Sequence, residues 1–379
     1  MGALPDADLF GDQGSNTLGH VILKKNLYLP NLFELGLGKI LAMEKENGGK
    51  RPQGAYGKMA ELSPGKDTTT GHWELAGLPV SKPFPLYPKG FPREIITEFE
   101  RLIGRKTLGN IPFSGTEIIK KMGEEHLKTG FPIVYTSADS VFQVAAHEEI
   151  VPLEVLYRWC EEARRKILVG KHAVARVIAR PFRGKPGSFY RTKGRKDFSL
   201  PPPGVTLLDL VKENNYEVWV AGKVKDIFAG KGITRHLPAT DNRSTMDAVI
   251  TALESNFQGL FWANFIDFDM LYGHRNEVDG YARALEDFDL FLGRALKLLR
   301  KEDMLAITAD HGCDPTFKGT DHTREYVPLL IYSEKILPCD LGIRESFADL
   351  SATVLDVLGC KGRLHGQSFA KNICKGIIQ

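Results

Sequence analysis

Two short apolar runs, each ending in acidic and histidine residues and separated by one long amphipathic stretch, constrain this chain more than any other feature. Residues 259–268 (GLFWANFIDF) and 304–308 (MLAIT) read as buried parallel strands. Between them Tyr281, Leu285, Phe288, Leu292, Leu296 and Leu299 recur at spacings of three and four, which places them on one face of a helix. Strand, helix, strand is a βαβ unit, and such a unit demands a sheet covered by helices. Residues 207–211 (LLDLV) and 217–222 (EVWVAG) continue the alternation, and the middle of the chain has strands of its own at 131–135 and 173–179.

Two proline-rich stretches punctuate this pattern. One runs over 79–92 and contains Pro83, Pro85, Pro88 and Pro92; the other is Pro201, Pro202 and Pro203 followed by Gly204. Consecutive prolines disfavour helix and ladder pairing alike, so both stretches read as semi-rigid connectors or as long surface loops. The expected organisation is a doubly wound α/β core built from residues 1–82 and 204–379, with an inserted α/β cap at 83–203.

Composition then excludes several classes of function. Fifty basic against 47 acidic residues give a net charge of +3, too balanced for a dedicated nucleic-acid binder. No apolar run approaches the roughly 18 residues that span a bilayer. Neither nucleic acid nor membrane is therefore expected as a partner. The start, MGALPDA, shows neither a basic n-region nor an apolar h-region, so secretion is not expected. Five scattered cysteines without a CxxC pair point to reduced thiols, a cytoplasmic location, and no thiolate metal site.

The chemistry lies where the strands end. The run at 259–268 leads into Asp269 and His274; the run at 304–308 leads into Asp310 and His311, with His322 further on. Ligands of open α/β sheets bind beyond the carboxyl ends of strands. Two Asp and three His, without sulfur, suit Mn²⁺ or Zn²⁺, and five donors exceed the need of one catalytic ion. Upstream, 63–74 (SPGKDTTTGHWE) sets a Gly/Pro turn before three threonines and a helix-compatible stretch. A hydroxyl at a helix N-terminus sits in a positive potential that favours a phosphate ester; the simpler reading is a threonine N-cap. Lys66 lacks the spacing of a P-loop lysine. In the cap region, Arg176, Arg180, Arg183, Lys185, Arg191, Lys193, Arg195 and Lys196 crowd together, either as a clamp for phosphate or as a solvated basic face or weak nucleic-acid patch. The segment 136–140 (TSADS) offers hydroxyls and a carboxylate suited to a sugar, or simply caps a turn.

Five motifs carry a family resemblance: GKDTTTGHWE at 65–74, YTSADSV at 135–141, DFD…GHR at 267–275, TADHG at 308–312 and GTDHTRE at 319–325. Together they resemble bacterial phosphopentomutases over nearly the whole chain, whereas TADHG alone marks only the wider alkaline phosphatase superfamily. The resemblance implies an alkaline-phosphatase-like core with a cap, and an intramolecular phosphotransferase that interconverts ribose 5-phosphate and ribose 1-phosphate and their 2-deoxy equivalents. It implies two Mn²⁺ ions per chain and a phosphothreonine at Thr68. One ion would be held by Asp310 and His311, the other by Asp269, His274 and His322, with phosphorylated Thr68 between them. Ser137, Asp139 and Val141 match positions near the pentose, and Arg176, Arg191 and Lys223 match those that hold its other phosphate. A sugar bisphosphate, glucose 1,6-bisphosphate or ribose 1,5-bisphosphate, would prime the threonine.

The resemblance also sets one departure. In that family an apolar first strand ends in Asp-Ser, and its Asp completes the first metal site; this sequence opens where the following turn would be finishing, and Asp6 aligns after it. The expectation is a shortened start, with a degenerate relative as the alternative. Three readings of function follow: a phosphopentomutase, a phosphatase or phosphodiesterase of the same superfamily, or a catalytically silent pentose-phosphate-binding relative. Free phosphate against isomerised pentose phosphate separates the first two, and the count of bound manganese separates the third.

Overall fold

Thirteen strands form among the described residues, which in this computed structural model are 1–43, 51–137 and 140–374. They are β1 (Ala55–Met59), β2 (Leu108–Pro112), β3 (Ile133–Thr136), β4 (Val141–His147), β5 (Arg176–Arg183), β6 (Tyr190–Arg191) and β7 (Lys196–Ser199). There follow β8 (Glu217–Ala221), β9 (Arg235–Leu237), β10 (Gly259–Ala263), β11 (Leu305–Ile307), β12 (Val327–Tyr332) and β13 (Asp340–Arg344). The chain divides into two compact units: Met1–Pro83 with Pro202–Gln379, and Phe84–Pro201.

The first unit holds two sheets. One has the order β11-β12-β1-β13, with β12 antiparallel to both β11 and β1, and β1 parallel to β13. The other is parallel throughout, in the order β10-β8-β9. The helix expected after 259–268 spans Val278–Ala295 and ends before Leu296 and Leu299. Its Tyr281, Leu285 and Leu292 pack with Val21 and Ile22 of the helix Thr17–Lys25 and with Leu32 and Phe33 of the helix Pro30–Leu35. Each large apolar side chain so buried contributes about 1.5–3 kcal/mol against the entropy of ordering it.

Two expectations need correction here. The apolar runs 259–268 and 304–308 are not buried strands: every residue of β10 is half-buried, and β11 exposes Ala306. Nor is β11 parallel to its neighbour. Among the described residues each is bonded on one side only, β10 to β8 and β11 to β12, so its apolar side chains have less cover than those of a central strand.

The second unit is a mixed six-stranded sheet, β2-β3-β4-β5-β6 with β7 also on β5. All of β4 is buried, because both faces are covered. Phe142 and Val144 join Phe99, Trp159 and Val177 in one core, while Ala145 joins Ile118, Ile119, Tyr135 and Phe182 in another. The alternation of side chains along a strand sends neighbours to opposite faces, hence the two cores.

Candidate metal centre

Local structure brings three distant stretches of the first unit together. Beyond β10 the chain enters a wide helical turn, Phe268–Tyr272, which carries Asp269, and a tight turn, Gly273–Arg275, which carries His274. Asp267 fixes this turn by exchanging hydrogen bonds with Asn242: the Asn242 N–H donates to Asp267 Oδ2 at 2.8 Å, and the Asp267 N–H to Asn242 Oδ1 at 3.0 Å. Beyond β11 come Asp310 and His311, and His322 lies on the segment leading into β12.

Thr68 is the first residue of the helix Thr68–Leu75. No threonine caps this helix. Asp67 does, with Oδ1 accepting from the Thr69 and Thr70 N–H groups at 3.0 and 3.1 Å and Oδ2 from the Thr70 hydroxyl at 2.5 Å. The Thr68 hydroxyl is thereby left free of cap duty and stands 3.1 Å from His311 Nε2. Glu74 is no part of the cap either. It is buried and accepts from the Leu62, Ser63 and Phe347 N–H groups and the Ser63 and Ser346 hydroxyls.

The donor atoms converge. Among the described residues, Asp269, His311 and His322 present atoms that all lie within 4.8 Å of one another, and so do Asp269, His274 and Cys313. Asp269 Oδ1 is 3.0 Å from Nε2 of both His274 and His322. The His311 and His322 rings stack at 3.7 Å between centroids. Asp310 Oδ2 is 3.4 Å from His311 Nε2 and 3.0 Å from His72 Nδ1, and the same His72 nitrogen is 2.9 Å from the Thr68 carbonyl oxygen.

Burial works against ionising Asp269, but hydrogen bonds from His274 and His322 and the nearby His322 and His311 charges outweigh it and hold the carboxyl well below its ordinary range. Asp310 follows the same logic: burial raises it, but His311 and His72 outweigh that and hold it below its ordinary range. His311 is held below the usual imidazole value, chiefly by burial.

A divalent cation fits these residues. His274 donates Nδ1–H to the Thr320 carbonyl at 2.6 Å and His311 donates Nδ1–H to the Gly312 carbonyl at 3.0 Å, so each turns its Nε2 into the cluster. A backbone carbonyl accepting from the far nitrogen is a usual partner of a ligating histidine. A bare imidazole lone pair 3.0 Å from a carboxylate oxygen repels it unless a proton or a cation lies between. Oxygen and nitrogen donors of this kind suit Mn²⁺ or Zn²⁺.

The remaining expected site residues fall in two places. Lys223 is in the first unit, with Nζ 4.0 Å from Asp269 Oδ2. In the second unit, Val141 opens β4 and pairs in register with Arg176 at the start of β5. Arg191 is exposed on β6, and Ser137 follows β3 half-buried. Asp139 lies outside the described residues. The basic run is partly neutralised within its own unit: Arg195 Nε is 2.7 Å and Arg176 Nη1 3.8 Å from Asp197, while Arg183 Nε is 2.6 Å from Glu148.

Sequence reasoning missed three neighbours of the cluster. Cys313, discounted with the other thiols, is buried beside Asp269 and His274, and burial pushes its thiol up. His72 bridges Asp310 and the Thr68 backbone, and its ring stacks on Trp262 of β10 at 5.6 Å. Arg324, two residues past His322, bonds the backbone ahead of Thr68. The signal for His72 was its place four residues after Thr68, one helical turn on; for Arg324 there was none beyond its proximity to His322.

Residues 204–362 match the metalloenzyme superfamily, the class to which an α/β core with this donor cluster belongs, and its architecture is alkaline-phosphatase-like. Three relatives resolve the class further. The phosphopentomutase of Caldanaerobacter subterraneus subsp. tengcongensis is 58% identical over 375 residues, 98% of this chain and 95% of that protein. That of Acetivibrio thermocellus is 56% identical over 377 residues, 98% of this chain and 96% of that protein. That of Dictyoglomus thermophilum is 56% identical over 380 residues, 99% of this chain and 96% of that protein. The chain belongs to the phosphopentomutase family.

Proposed function

We propose that this enzyme interconverts ribose 5-phosphate and ribose 1-phosphate, and their 2-deoxy equivalents, by way of a phosphothreonine at Thr68 and a sugar bisphosphate. The observation that carries the reading is the approach of the Thr68 hydroxyl to 3.1 Å from His311 Nε2, at the edge of a cluster that also contains Asp269, Asp310 and His322. Family membership at 58% identity supports the choice of substrate.

In the resting state Thr68 Oγ1 carries a phosphoryl group, placed there by a sugar bisphosphate such as glucose 1,6-bisphosphate. The C1 hydroxyl of ribose 5-phosphate attacks that phosphorus; the P–Oγ1 bond breaks, a P–O1 bond forms, and ribose 1,5-bisphosphate results. The bisphosphate then presents its other end, Thr68 Oγ1 takes the 5-phosphoryl group, and O5 recovers the proton that O1 gave up. Two Mn²⁺ ions, held by Asp310 and His311 and by Asp269, His274 and His322, would stabilise charge on the entering and leaving oxygens. Asp67 orients the first helical turn so that Thr68 faces the cluster. Ser137, Asp139 and Val141 would contact the pentose, and Arg176, Arg191 and Lys223 the phosphate that is not reacting.

Phosphorus NMR of ribose 5-phosphate incubated with the Mn²⁺-loaded enzyme and a catalytic amount of glucose 1,6-bisphosphate tests this. A growing ribose 1-phosphate signal is the expected result. Accumulation of free phosphate instead, or no change, refutes the reading.

A further inference from the structure

We propose that Arg324 is the positioning residue that sets Thr68 for phosphoryl transfer, by holding the backbone of the loop that leads into its helix. The inference deepens the reading above and rests on Thr68 as the phosphoryl carrier.

Arg324 has a buried guanidinium, 3% exposed, and it gathers six acceptors. Two are the Asp6 carboxylate oxygens, at 3.1 Å from Nε and 3.0 Å from Nη2, and a third is Glu61 Oε2, at 2.9 Å from Nη1. The other three are backbone carbonyls: Glu61 at 3.0 Å from Nη2, with Ser63 at 2.8 Å and Gly65 at 2.5 Å from Nη1. Neutralising one guanidinium requires only carboxylates. Three carbonyls at alternate residues do something else, because they fix the path of the chain from 61 to 65. That path runs directly into Asp67, the cap, and Thr68, the first helical residue.

The other end of the device reaches the metal-binding cluster. Arg324 is two residues past His322, whose Nε2 is 3.0 Å from Asp269 Oδ1. The Arg324 N–H donates to Asp12 Oδ2 at 2.9 Å, and the same carboxylate oxygen is 2.9 Å from Lys66 Nζ, so a second tie binds this segment to the loop. The intervening Thr323 turns the opposite way, its hydroxyl donating to Glu325 Oε1, which also accepts from the Thr17 hydroxyl. The segment 322–324 thus holds a donor of the cluster and the clamp of the nucleophile loop within three consecutive residues. A lysine could not replace the clamp: its ammonium has three hydrogens and no planar fork, against the six acceptors here.

The test uses the full chain loaded with Mn²⁺, comparing R324K with the unmodified enzyme. Turnover should fall about 100-fold, the loss expected from misplacing a reacting group by about an ångström. KM for ribose 5-phosphate and the affinity for Mn²⁺, measured by titration, should stay within about threefold. Amide hydrogen exchange across residues 61–70 should quicken about tenfold while the second unit is unchanged. Unaltered turnover, unaltered exchange, or a loss of Mn²⁺ affinity that matches the loss of turnover overturns the proposal. Should the unmodified enzyme show no mutase turnover, the functional reading fails, and the exchange measurement still decides whether Arg324 holds this loop. If R324K does not fold, D6N takes its place, removing one anchor of the fork and predicting about a tenfold loss of turnover at constant KM. Failure of both variants to fold overturns the proposal, since Arg324 would then serve the stability of the core as a whole.

Discussion

Gly71 and Asp310 meet backbone to backbone: a Cβ placed on Gly71 would lie 1.9 Å from the Asp310 carbonyl oxygen and 2.8 Å from its carbonyl carbon. The helix Thr68–Leu75 therefore presses directly on the segment beyond β11 that carries Asp310 and His311. This closeness is what a missing side chain permits. It brings Thr68, one turn earlier on the helix, within reach of His311.

Substituting Gly71 by alanine should accordingly be costly. Backbone cannot turn aside as a flexible side chain does, so the helix and the Asp310 segment must separate. We expect G71A to lose about 1–3 kcal/mol in denaturant unfolding, the range for overpacking a close contact, and to lose at least about tenfold in turnover. A variant of normal stability and activity would mean that the two backbones are not in contact.

Thr68 offers the opposite case, an activity effect with little structural cost. Because Asp67 rather than Thr68 caps the helix, T68V removes only the hydroxyl's contact with His311. Stability should change by no more than about 1 kcal/mol, while mutase turnover and acid-stable phosphate incorporation from a labelled sugar bisphosphate should both vanish. Persisting turnover would rule out a phosphothreonine at this position.

How far the sequence disclosed this site depends on which kind of residue is asked about. Asp269, Asp310 and His311 could be located because apolar runs mark where strands end and ligands bind beyond those ends, although β10 and β11 lie in different sheets; His322 followed from its nearness to His311 in the chain. Apolar runs do not disclose partners, however. Leu260, Phe261 and Trp262 are as apolar as a central strand requires, yet among the described residues β10 has one bonded neighbour and stays half-buried. Capping was similarly ambiguous: Asp67 and Thr68 are both good caps, and only the extended backbone at Asp67 (φ −97°, ψ 155°) decides between them. Arg324 was illegible for a deeper reason. Three of its six acceptors are carbonyls some 260 residues away in the chain, and a carbonyl has no residue identity for a motif to record.

Metal binding should be read from stability before activity. Asp269 takes part in both donor groups, so D269N removes a charge common to them while preserving shape. A ligand at one hundred times its dissociation constant stabilises the folded state by about 2.7 kcal/mol. Saturating Mn²⁺ should therefore raise the melting temperature of the unmodified protein clearly, and chelation should reverse the rise. D269N should melt at nearly the same temperature with and without Mn²⁺. An undiminished shift in D269N would remove Asp269 from the ligand set.

The second unit carries a pH dependence of its own, independent of any metal. His126 is fully buried at the end of the helix Gly115–Thr129. Its Nδ1–H donates to the Phe131 carbonyl at 2.8 Å, and its Nε2 accepts from the His147 N–H at 2.9 Å. Both nitrogens are thus committed in the neutral ring, and a second proton would have to displace the His147 bond. Burial is the main cause that lowers this imidazole from its ordinary 6.5, with the bond to Phe131 opposing it in part. The sign follows: below about 6.5 the unfolded chain takes up a proton that the folded unit refuses, so stability is lost as pH falls through that window. One such proton gives a slope of at most about 1.4 kcal/mol per pH unit. H126Q keeps an acceptor for the His147 N–H but cannot titrate, so its unfolding free energy should be lower at pH 7.5 and fall less steeply toward pH 5. Urea unfolding of both proteins between those limits measures the difference, and equal slopes would show that His126 takes up its proton in the folded state as readily as in the unfolded one.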